Sequence, residues 1–171
     1  GMMIDVSHIS DDAFYQVMDL SQAPVIASHS SARKFTPGFE RNMSDEMIRL
    51  LAKNGGVIQI NFGTKFLSQE AIEWSEVFDA ARRELIPDEE ISSRLPELFA
   101  FMVEYRKQSP YPFADMELVL DHFDHVVALG GIDSVGIGSD YDGVGDTLPI
   151  GLKDVSSYPN LIDGLLGRGY S

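Results

Sequence analysis

Three residues able to bind a metal ion, His8, His29 and Asp140, each follow a short apolar run of the sequence. Zinc accepts imidazole and carboxylate ligands, and an open coordination position lowers the pKa of its bound water to about 7, which makes that water a nucleophile near neutral pH. A single histidine at a strand end more often caps the strand or hydrogen-bonds to backbone. Two histidines at equivalent strand ends leave the structural and the metal-binding interpretations both open.

Other polar groups fit a metal site less well. The chain has no cysteine, so disulfides and thiolate metal sites are excluded. His122 and His125 lie three residues apart on a predicted helix, which we expect on the outer shell in a structural role. The residues from Asp140 to Gly151 superficially resemble a calcium-binding loop. That motif requires Asp or Asn at its fifth position and Glu at its twelfth, so the calcium interpretation fails.

Four short apolar runs are predicted as buried strands that carry these residues. Their near-continuous apolar character is typical of parallel strands covered on both faces, and they span residues 3–6, 24–27, 57–62 and 135–137. Strands alternating with helices indicate a parallel sheet, either doubly wound or part of a (β/α)₈ barrel. In both arrangements functional residues collect at the carboxyl ends of the strands, so His8, His29 and Asp140 are expected at one mouth.

The helices between the strands have clear start signals. Ser10 and Ser44 each precede acidic residues and an apolar stripe, as N-caps do. The stripes are Phe14, Val17 and Met18 in the first helix, and Met47, Ile48, Leu50 and Leu51 in the second. A further helix is predicted over residues 113–129, with Met116, Leu120, Phe123 and Val127 at core spacing, and a last one near Asn160.

The 171 residues are expected to form a single domain with one helical excursion at about residues 68–108, divided by Pro87 and Pro96. With 27 acidic and 13 basic side chains the net charge is -14, which excludes nucleic acid as a partner because it would repel phosphates. No apolar run reaches the roughly 18 residues of a membrane span, and no signal peptide is evident. We therefore expect a cytoplasmic protein without a membrane segment.

Several segments, in this order, resemble the renal (membrane) dipeptidase family. They lie at residues 3–8, 24–32, 41–45, 55–62, 136–143 and 154–159. The family is a (β/α)₈ TIM-type barrel of the metal-dependent hydrolase type. The resemblance implies that residues 1–171 form the carboxyl-terminal half of such a barrel.

The resemblance also implies roles for individual residues. His8 and His29 resemble the two imidazole ligands of one of two zinc ions, and Asp140 resembles the carboxylate that binds the other zinc and assists proton transfer. Arg41, with Asn42 beside it, resembles the substrate-binding residue that holds the terminal carboxylate of a dipeptide. The implied reaction is hydrolysis of a dipeptide by a zinc-activated water. A His-x-Asp pair and a metal-bridging Glu, which the family places ahead of the matched region, have no counterpart among these residues.

An alternative of another class remains open. Four strands make half a barrel, which would leave an open edge and an uncovered core. Such a chain would bind metal weakly at most, hydrolyse nothing, and self-associate to cover its edge. A homo-oligomer is expected in that case.

Overall fold

The computed structural model describes residues 1–171, which divide into two compact units. One unit combines Gly1–Ser68 with Phe113–Ser171, and the other is Gln69–Pro112. The second unit corresponds to the helical excursion expected at residues 68–108. No helix is both long enough and apolar enough to cross a membrane.

Three strands and seven α-helices make up the chain. The strands are β1 (Ile26–Ser30), β2 (Val57–Ile60) and β3 (Val135–Ile137). The helices are α1 (Asp11–Leu20), α2 (Asp45–Lys53), α3 (Thr64–Leu67), α4 (Gln69–Leu85), α5 (Leu95–Gln108), α6 (Met116–Gly130) and α7 (Tyr158–Gly167). Short 3-10 helices lie at Arg33–Phe35, Asp88–Ser93, Ile132–Ser134 and Val155–Ser157.

The strands form one parallel sheet in the order β1-β2-β3. This confirms the α/β class and the parallel sheet. A doubly wound sheet reverses its strand order at a switch point, and β1 to β3 follow one another in space as they do in sequence. The strand order therefore does not reverse within this sheet, as is also true of successive strands in a barrel.

The prediction of a buried strand at residues 3–6 was wrong. This segment lies parallel to β1 but pairs with it through a single bridge, Asp5 to Ile26. The backbone bonds are Val6 N–H to Ile26 O at 2.8 Å and Ile26 N–H to Ile4 O at 3.0 Å. Met2 and Met3 are 95% and 69% exposed. The segment has a strand on one side only, so Met3 and Ile4 stay exposed, and only Val6 reaches the core.

The second predicted strand is displaced along the chain. β1 begins at Ile26 and continues to Ser30, whereas the apolar run ends at Ala27. Pairing with β2 skips the polar residues Ser28 and His29 and resumes at Ser30, so this part of β1 has one residue more than the matching part of β2. His29 thus lies inside a strand rather than after it.

Helix starts follow the predicted caps. The Ser10 hydroxyl accepts from Ala13 N–H at 3.3 Å, and that of Ser44 accepts from Met47 N–H at 3.2 Å. The helix expected from residue 113 begins at Met116, because the Asp115 carboxylate accepts from Leu118 N–H and caps it there. α7 starts at Tyr158, two residues before the expected position.

The core of the first unit lies between the sheet and the helices that cover it. Phe14 of α1, Ile48 and Leu51 of α2, and Ile58 and Ile60 of β2 are fully buried. Leu120 and Phe123 of α6 join them as predicted, whereas Met116 and Val127 are only partly buried. These apolar contacts hold the strand ends that carry the candidate site.

The unit Gln69–Pro112 has its own aromatic cluster. Trp74 stacks on Phe78 with ring centroids 5.1 Å apart, and Tyr105 packs edge-on to both. The indole N–H of Trp74 donates to Ser109 O at 3.0 Å. Arg82 is buried and forms an ion pair with Asp88 at 2.6 Å, which joins α4 to the following 3-10 helix.

Candidate active site

Two imidazole rings meet at the carboxyl ends of neighbouring extended segments. His8 Nε2 lies 2.8 Å from His29 Nε2, and the ring centroids are 4.8 Å apart. Burial, together with the nearby Arg41 and His29, lowers the pKa of His8, which favours the neutral ring that a metal ion requires. The structure therefore brings the two predicted imidazole ligands to one point.

Unusual backbone conformations mark two of the predicted site residues. His8 has a φ of 70° and Asp140 a φ of 60°, and these are the only residues other than glycine with a positive φ. For a residue with a Cβ this left-handed conformation costs about 1–2 kcal/mol. Such strain persists where the surrounding structure enforces it, often at active sites. Its location at His8 and Asp140 supports a functional role for both.

A β-bulge lies at His29. Ala27 pairs with Ile58 and Ser30 with Ile60, so three steps along β1 match two along β2. A bulge of this kind changes the direction in which side chains project. Here it lets both Ser28 and His29 use their side chains in contacts around Asp5 and His8.

A hydrogen-bond chain runs from Asp5 to the ring of His29. The Ser28 hydroxyl donates to Asp5 Oδ2 at 2.5 Å and lies 2.7 Å from His29 Nδ1. Asp5 Oδ1 accepts from the N–H groups of Ser7 and Ser28 at 2.9 and 3.1 Å. Burial raises the pKa of Asp5, but these hydrogen bonds outweigh burial and hold it below its usual value.

Arg41 is held beside the imidazole pair. Its Nη1 donates to Ser30 Oγ and its Nη2 donates to His29 O, both at 2.9 Å, and the guanidinium lies 5.3 Å from the Phe66 ring centroid. Its buried Nε–H has no hydrogen-bond partner. Burial lowers the pKa of Arg41, opposed by Asp140 and Asp5, although a guanidinium remains charged at neutral pH.

Asn42, the neighbour of Arg41, does not face the site. It is 1% exposed, its Oδ1 accepts from Ser31 N–H, and its Nδ2 donates to Thr36 Oγ1 and Phe66 O. These contacts use the whole side-chain amide to hold the loop that carries Arg41. Direct contact of Asn42 with a substrate stays a prediction, and the geometry gives it no support.

Asp140 is oriented by a residue from the next strand. Asn61 follows β2, is fully buried, and donates from Nδ2 to Asp140 Oδ2 at 2.8 Å. Asn61 Oδ1 accepts from Gly63 N–H at 2.7 Å, which fixes the amide orientation. Gly143 is needed beside them, because a Cβ there would lie 2.2 Å from Asp140 Oδ1.

The site holds one pair of candidate metal ligands, His8 and His29, rather than a full set. No group of three or more His, Asp and Glu side chains converges closely enough to bind a metal ion. Two ring nitrogens facing each other nevertheless fit the imidazole pair of a zinc site, which accepts nitrogen ligands and takes four in total. The negative charge of Asp140 acts to raise the pKa values of both His8 and Arg41, against the lowering caused by burial.

The other two histidines have structural partners, as expected. His122 is fully buried, accepts at Nδ1 from Ala32 N–H, and donates from Nε2 to Leu67 O, both at 3.1 Å. Burial lowers the pKa of His122 to about 4, despite the bond to Leu67 O. His125 Nε2 lies 2.8 Å from Asp45 Oδ1. Neither ring has a nitrogen free for a metal ion shared with the other.

The whole sequence matches one family of hydrolases. Residues 1–171 match the model of the membrane dipeptidase family, peptidase family M19. The chain belongs to this family. The family is one of dipeptidases, and a solved structure of it is that of a metallopeptidase.

Known relatives of this M19 chain are dipeptidases. Dipeptidase 3 of Mus musculus is 36% identical over 170 residues, which are 99% of this chain and 26% of the mouse protein. The probable dipeptidase PvdM from Pseudomonas aeruginosa superposes with a TM-score of 0.77 at 34% identity, covering 99% of this chain and 46% of that one. The chain thus spans between a quarter and a half of these relatives.

A third relative has a ligand related to dipeptides. A metallopeptidase from Rhodobacter sphaeroides, 29% identical with a TM-score of 0.69, was crystallised with a phosphinate mimic of the dipeptide L-Ala-D-Ala. It covers 99% of this chain, and this chain covers 37% of it. The shared region therefore includes the whole M19 sequence described above.

Sequence reasoning did not assign roles to three residues of the M19 site. Asp5, Ser28 and Asn61 support His29 and Asp140 through side-chain hydrogen bonds. All three lie in or beside the polar strand ends, so position along the predicted strands was a usable signal. Which ligand each one supports depended on the tertiary structure.

Proposed function

We propose that this chain is the part of a zinc dipeptidase that supplies both imidazoles of one zinc ion, the carboxylate Asp140 and the substrate-binding residue Arg41. The complete protein would hydrolyse the peptide bond of dipeptides. The observation that carries the proposal is the 2.8 Å approach of His8 Nε2 to His29 Nε2 at the strand ends of an M19 chain.

The fold proposal accompanies the function. Parallel strands in consecutive order, with helices between them, are what one half of a (β/α)₈ barrel presents. The carboxyl ends of such strands carry the catalytic residues. His8 and Asp140 follow extended segments at that edge, and His29 is the next-to-last residue of β1. The remaining strands of the barrel would complete the site.

Zinc bound in such a site would lower the pKa of its water and polarise the peptide carbonyl. The residues of this chain have the tasks of holding and orienting. His8 and His29 supply neutral nitrogen donors. Asp140, fixed by Asn61, would accept and deliver a proton beside the scissile bond.

Arg41 would bind the free carboxylate of the dipeptide. Its Nη1 and Nη2 each donate one hydrogen bond within the chain, which leaves a second N–H on each. Guanidinium groups suit carboxylates because several donors lie in one plane. A free carboxylate next to the scissile bond is a feature of dipeptides rather than of longer peptides bound in mid-chain.

Zinc binding by the metal-free chain tests the proposal. Equilibrium dialysis should give about one zinc per chain, since this chain holds one imidazole pair. The double variant His8→Ala, His29→Ala should lose it, while His125→Ala should retain it. Zinc uptake that is unchanged in the double variant would contradict the proposal. Hydrolysis of L-Ala-D-Ala by the zinc-loaded chain, with Asp140→Asn as the control, then measures how much activity this part supplies.

A second candidate function is a non-catalytic half-barrel that self-associates. Two observations favour it: no third protein ligand joins the imidazole pair, and Ile4 and Ile137 at the strand segments are exposed. Such a chain would bind zinc weakly and hydrolyse no dipeptide. Analytical ultracentrifugation distinguishes it, because self-association would then occur without zinc and would not depend on His8 or His29.

A further inference from the structure

The ring of His29 is connected to the carboxylate of Asp5 through one hydroxyl group. Ser28 Oγ lies 2.5 Å from Asp5 Oδ2 and 2.7 Å from His29 Nδ1. Asp5 is itself fixed by two backbone N–H groups, those of Ser7 and Ser28, on its other oxygen. The three residues come from the segment before β1 and from the bulge in β1.

The direction of the protons follows from the chemistry of these groups. An ionised carboxylate can only accept, so the single hydroxyl proton of Ser28 is donated to Asp5. The Ser28 oxygen can then only accept from the ring. His29 therefore carries its proton on Nδ1, and its Nε2 has a free lone pair.

We infer that Asp5 and Ser28 are positioning residues that hold His29 in the Nδ1–H tautomer, with Nε2 ready to bind a metal ion. The inference rests on the proposed metal role of His29. Metal-binding histidines commonly donate their other ring N–H to a carboxylate or carbonyl, which fixes both tautomer and ring orientation. Here a serine hydroxyl transmits the effect of the carboxylate.

His8 differs from His29 in the metal-free chain. Since His29 Nε2 is an acceptor, the 2.8 Å contact requires His8 Nε2 to carry a proton and donate it. Binding a metal ion would require that proton to leave Nε2, by moving to Nδ1 of the same ring. His29 is thus prepared for the metal ion, and His8 has to change tautomer.

Asp5→Asn is the most informative variant. The Asn Oδ1 can still accept from the Ser7 and Ser28 amides, but its NH₂ group would donate to Ser28. The Ser28 hydroxyl would then donate to His29 Nδ1, which places the ring proton on Nε2. The same carboxylate-to-amide exchange produces the wrong histidine tautomer in Ser-His-Asp triads. We expect zinc affinity to fall by about 10- to 100-fold.

The tautomers can be measured directly by long-range ¹H–¹⁵N NMR of the metal-free chain at about pH 8, where histidine rings are neutral. Wild type should show His29 as Nδ1–H and His8 as Nε2–H, and Asp5→Asn should show His29 as Nε2–H. Wild-type His29 found as Nε2–H would overturn the inference, whatever the zinc affinity.

Two serine variants complete the test. Ser28→Ala should release the His29 tautomer and lower zinc affinity by about 10- to 100-fold, and Ser28→Thr, which keeps the hydroxyl, should restore both. Ser7→Ala is the matched control, since Ser7 Oγ accepts from the backbone N–H of His29 and does not contact its ring. Equal zinc affinity in wild type and Ser28→Ala would also overturn the inference.

Failure of the inference differs from failure of the proposed function. If zinc binds and His29→Ala abolishes binding, while Ser28→Ala and Asp5→Asn have no effect, the metal site stands and the positioning role falls. If zinc does not bind through His29, the proposed function falls, and the tautomer measurement still decides how Asp5 and Ser28 act on the ring.

Discussion

The two pairs of histidines in this chain differ in what their ring nitrogens face. His8 and His29 turn Nε2 toward one another at the strand ends. His122 and His125 lie on one face of α6, but each has its own protein partners. The i, i+3 spacing of the second pair gives proximity in sequence without a shared point in space.

The difference shows why histidine spacing alone is weak evidence for a metal site. A metal ion needs ring nitrogens that are free and directed at one position. His122 uses both nitrogens to join α6 to the 31–36 loop and to α3. His29 uses Nδ1 for support, and its Nε2 faces the ring of His8, the other candidate ligand.

Removing His122 should have the largest effect. His122→Ala deletes a fully buried ring and leaves the N–H of Ala32 and the carbonyl of Leu67 without partners. We expect the free energy of unfolding to fall by about 4 kcal/mol, from the cavity and the unpaired polar groups together. Urea denaturation measures it. His125→Ala is the control and should cost less than His122→Ala, because its ring keeps some exposure and its partner Asp45 is exposed.

Acid should weaken the fold through the same residue. The folded-state pKa of His122 is lowered to about 4 from the ordinary value of 6.5. Above pH 6.5 the ring is neutral in both states. As the pH falls from 6.5 to 4, the unfolded chain gains a proton that the folded chain excludes, so stability falls by up to about 3 kcal/mol.

Unfolding curves measured across this pH range test the effect. Carboxylates also titrate there, so the informative quantity is the difference between wild type and His122→Gln. A variant curve parallel to that of wild type between pH 6.5 and 4 would contradict the assignment.

For His8 and His29 we expect a large effect on zinc affinity and a small effect on stability. His29→Ala should reduce zinc affinity by about 100-fold, equivalent to about 2.7 kcal/mol, since it removes one of the two proposed ligands. Its stability in urea should change little, because the ring is partly exposed. Competition with a chromophoric chelator measures the affinity. Equal affinities for His29→Ala and wild type would remove the distinction between the two pairs.

The smallest expected effect concerns the strained backbone at His8. His8→Gly and His8→Ala both lack the imidazole, but only alanine keeps the cost of a φ near 70°. The glycine variant gains chain entropy on unfolding, which offsets part of that relief. We expect His8→Gly to be more stable than His8→Ala by about 1 kcal/mol, measured by urea denaturation. The reverse order would argue against strain at His8.

Much of the fold could be predicted, and the failures lie where neighbours matter. Ser10 and Ser44 marked helix starts because capping is a local interaction between a side chain and the next turn. The segment at residues 3–6 has the composition of a buried strand, but only the number of adjacent strands decides whether it is one. Likewise, β1 continues past polar Ser28 and His29 because pairing with β2 resumes at Ser30.

The candidate site divides in the same way. Residue type and position at strand ends pointed to His8, His29 and Asp140, whereas Arg41 was expected only from the family resemblance. The contacts of Asn42 could not be inferred from its place beside Arg41, because they depend on Ser31, Thr36 and Phe66 meeting around it. Asp5 and Ser28 were visible as polar residues, but their connection to His29 required a bulge that no local pattern announces.

The sequence by itself determined the α/β class, the capped helices, the helical excursion and the residues able to bind a metal ion, because these depend on periodicity, local hydrogen bonding and side-chain chemistry. Only the tertiary structure decided which ring nitrogens face each other and which are hydrogen-bonded to the backbone. That distinction depends on contacts between residues about 20 to 90 positions apart. His8 and His29 meet because parallel extended segments end at the same edge of the sheet. Both ring nitrogens of His122 are hydrogen-bonded because α6 packs against the 31–36 loop and α3.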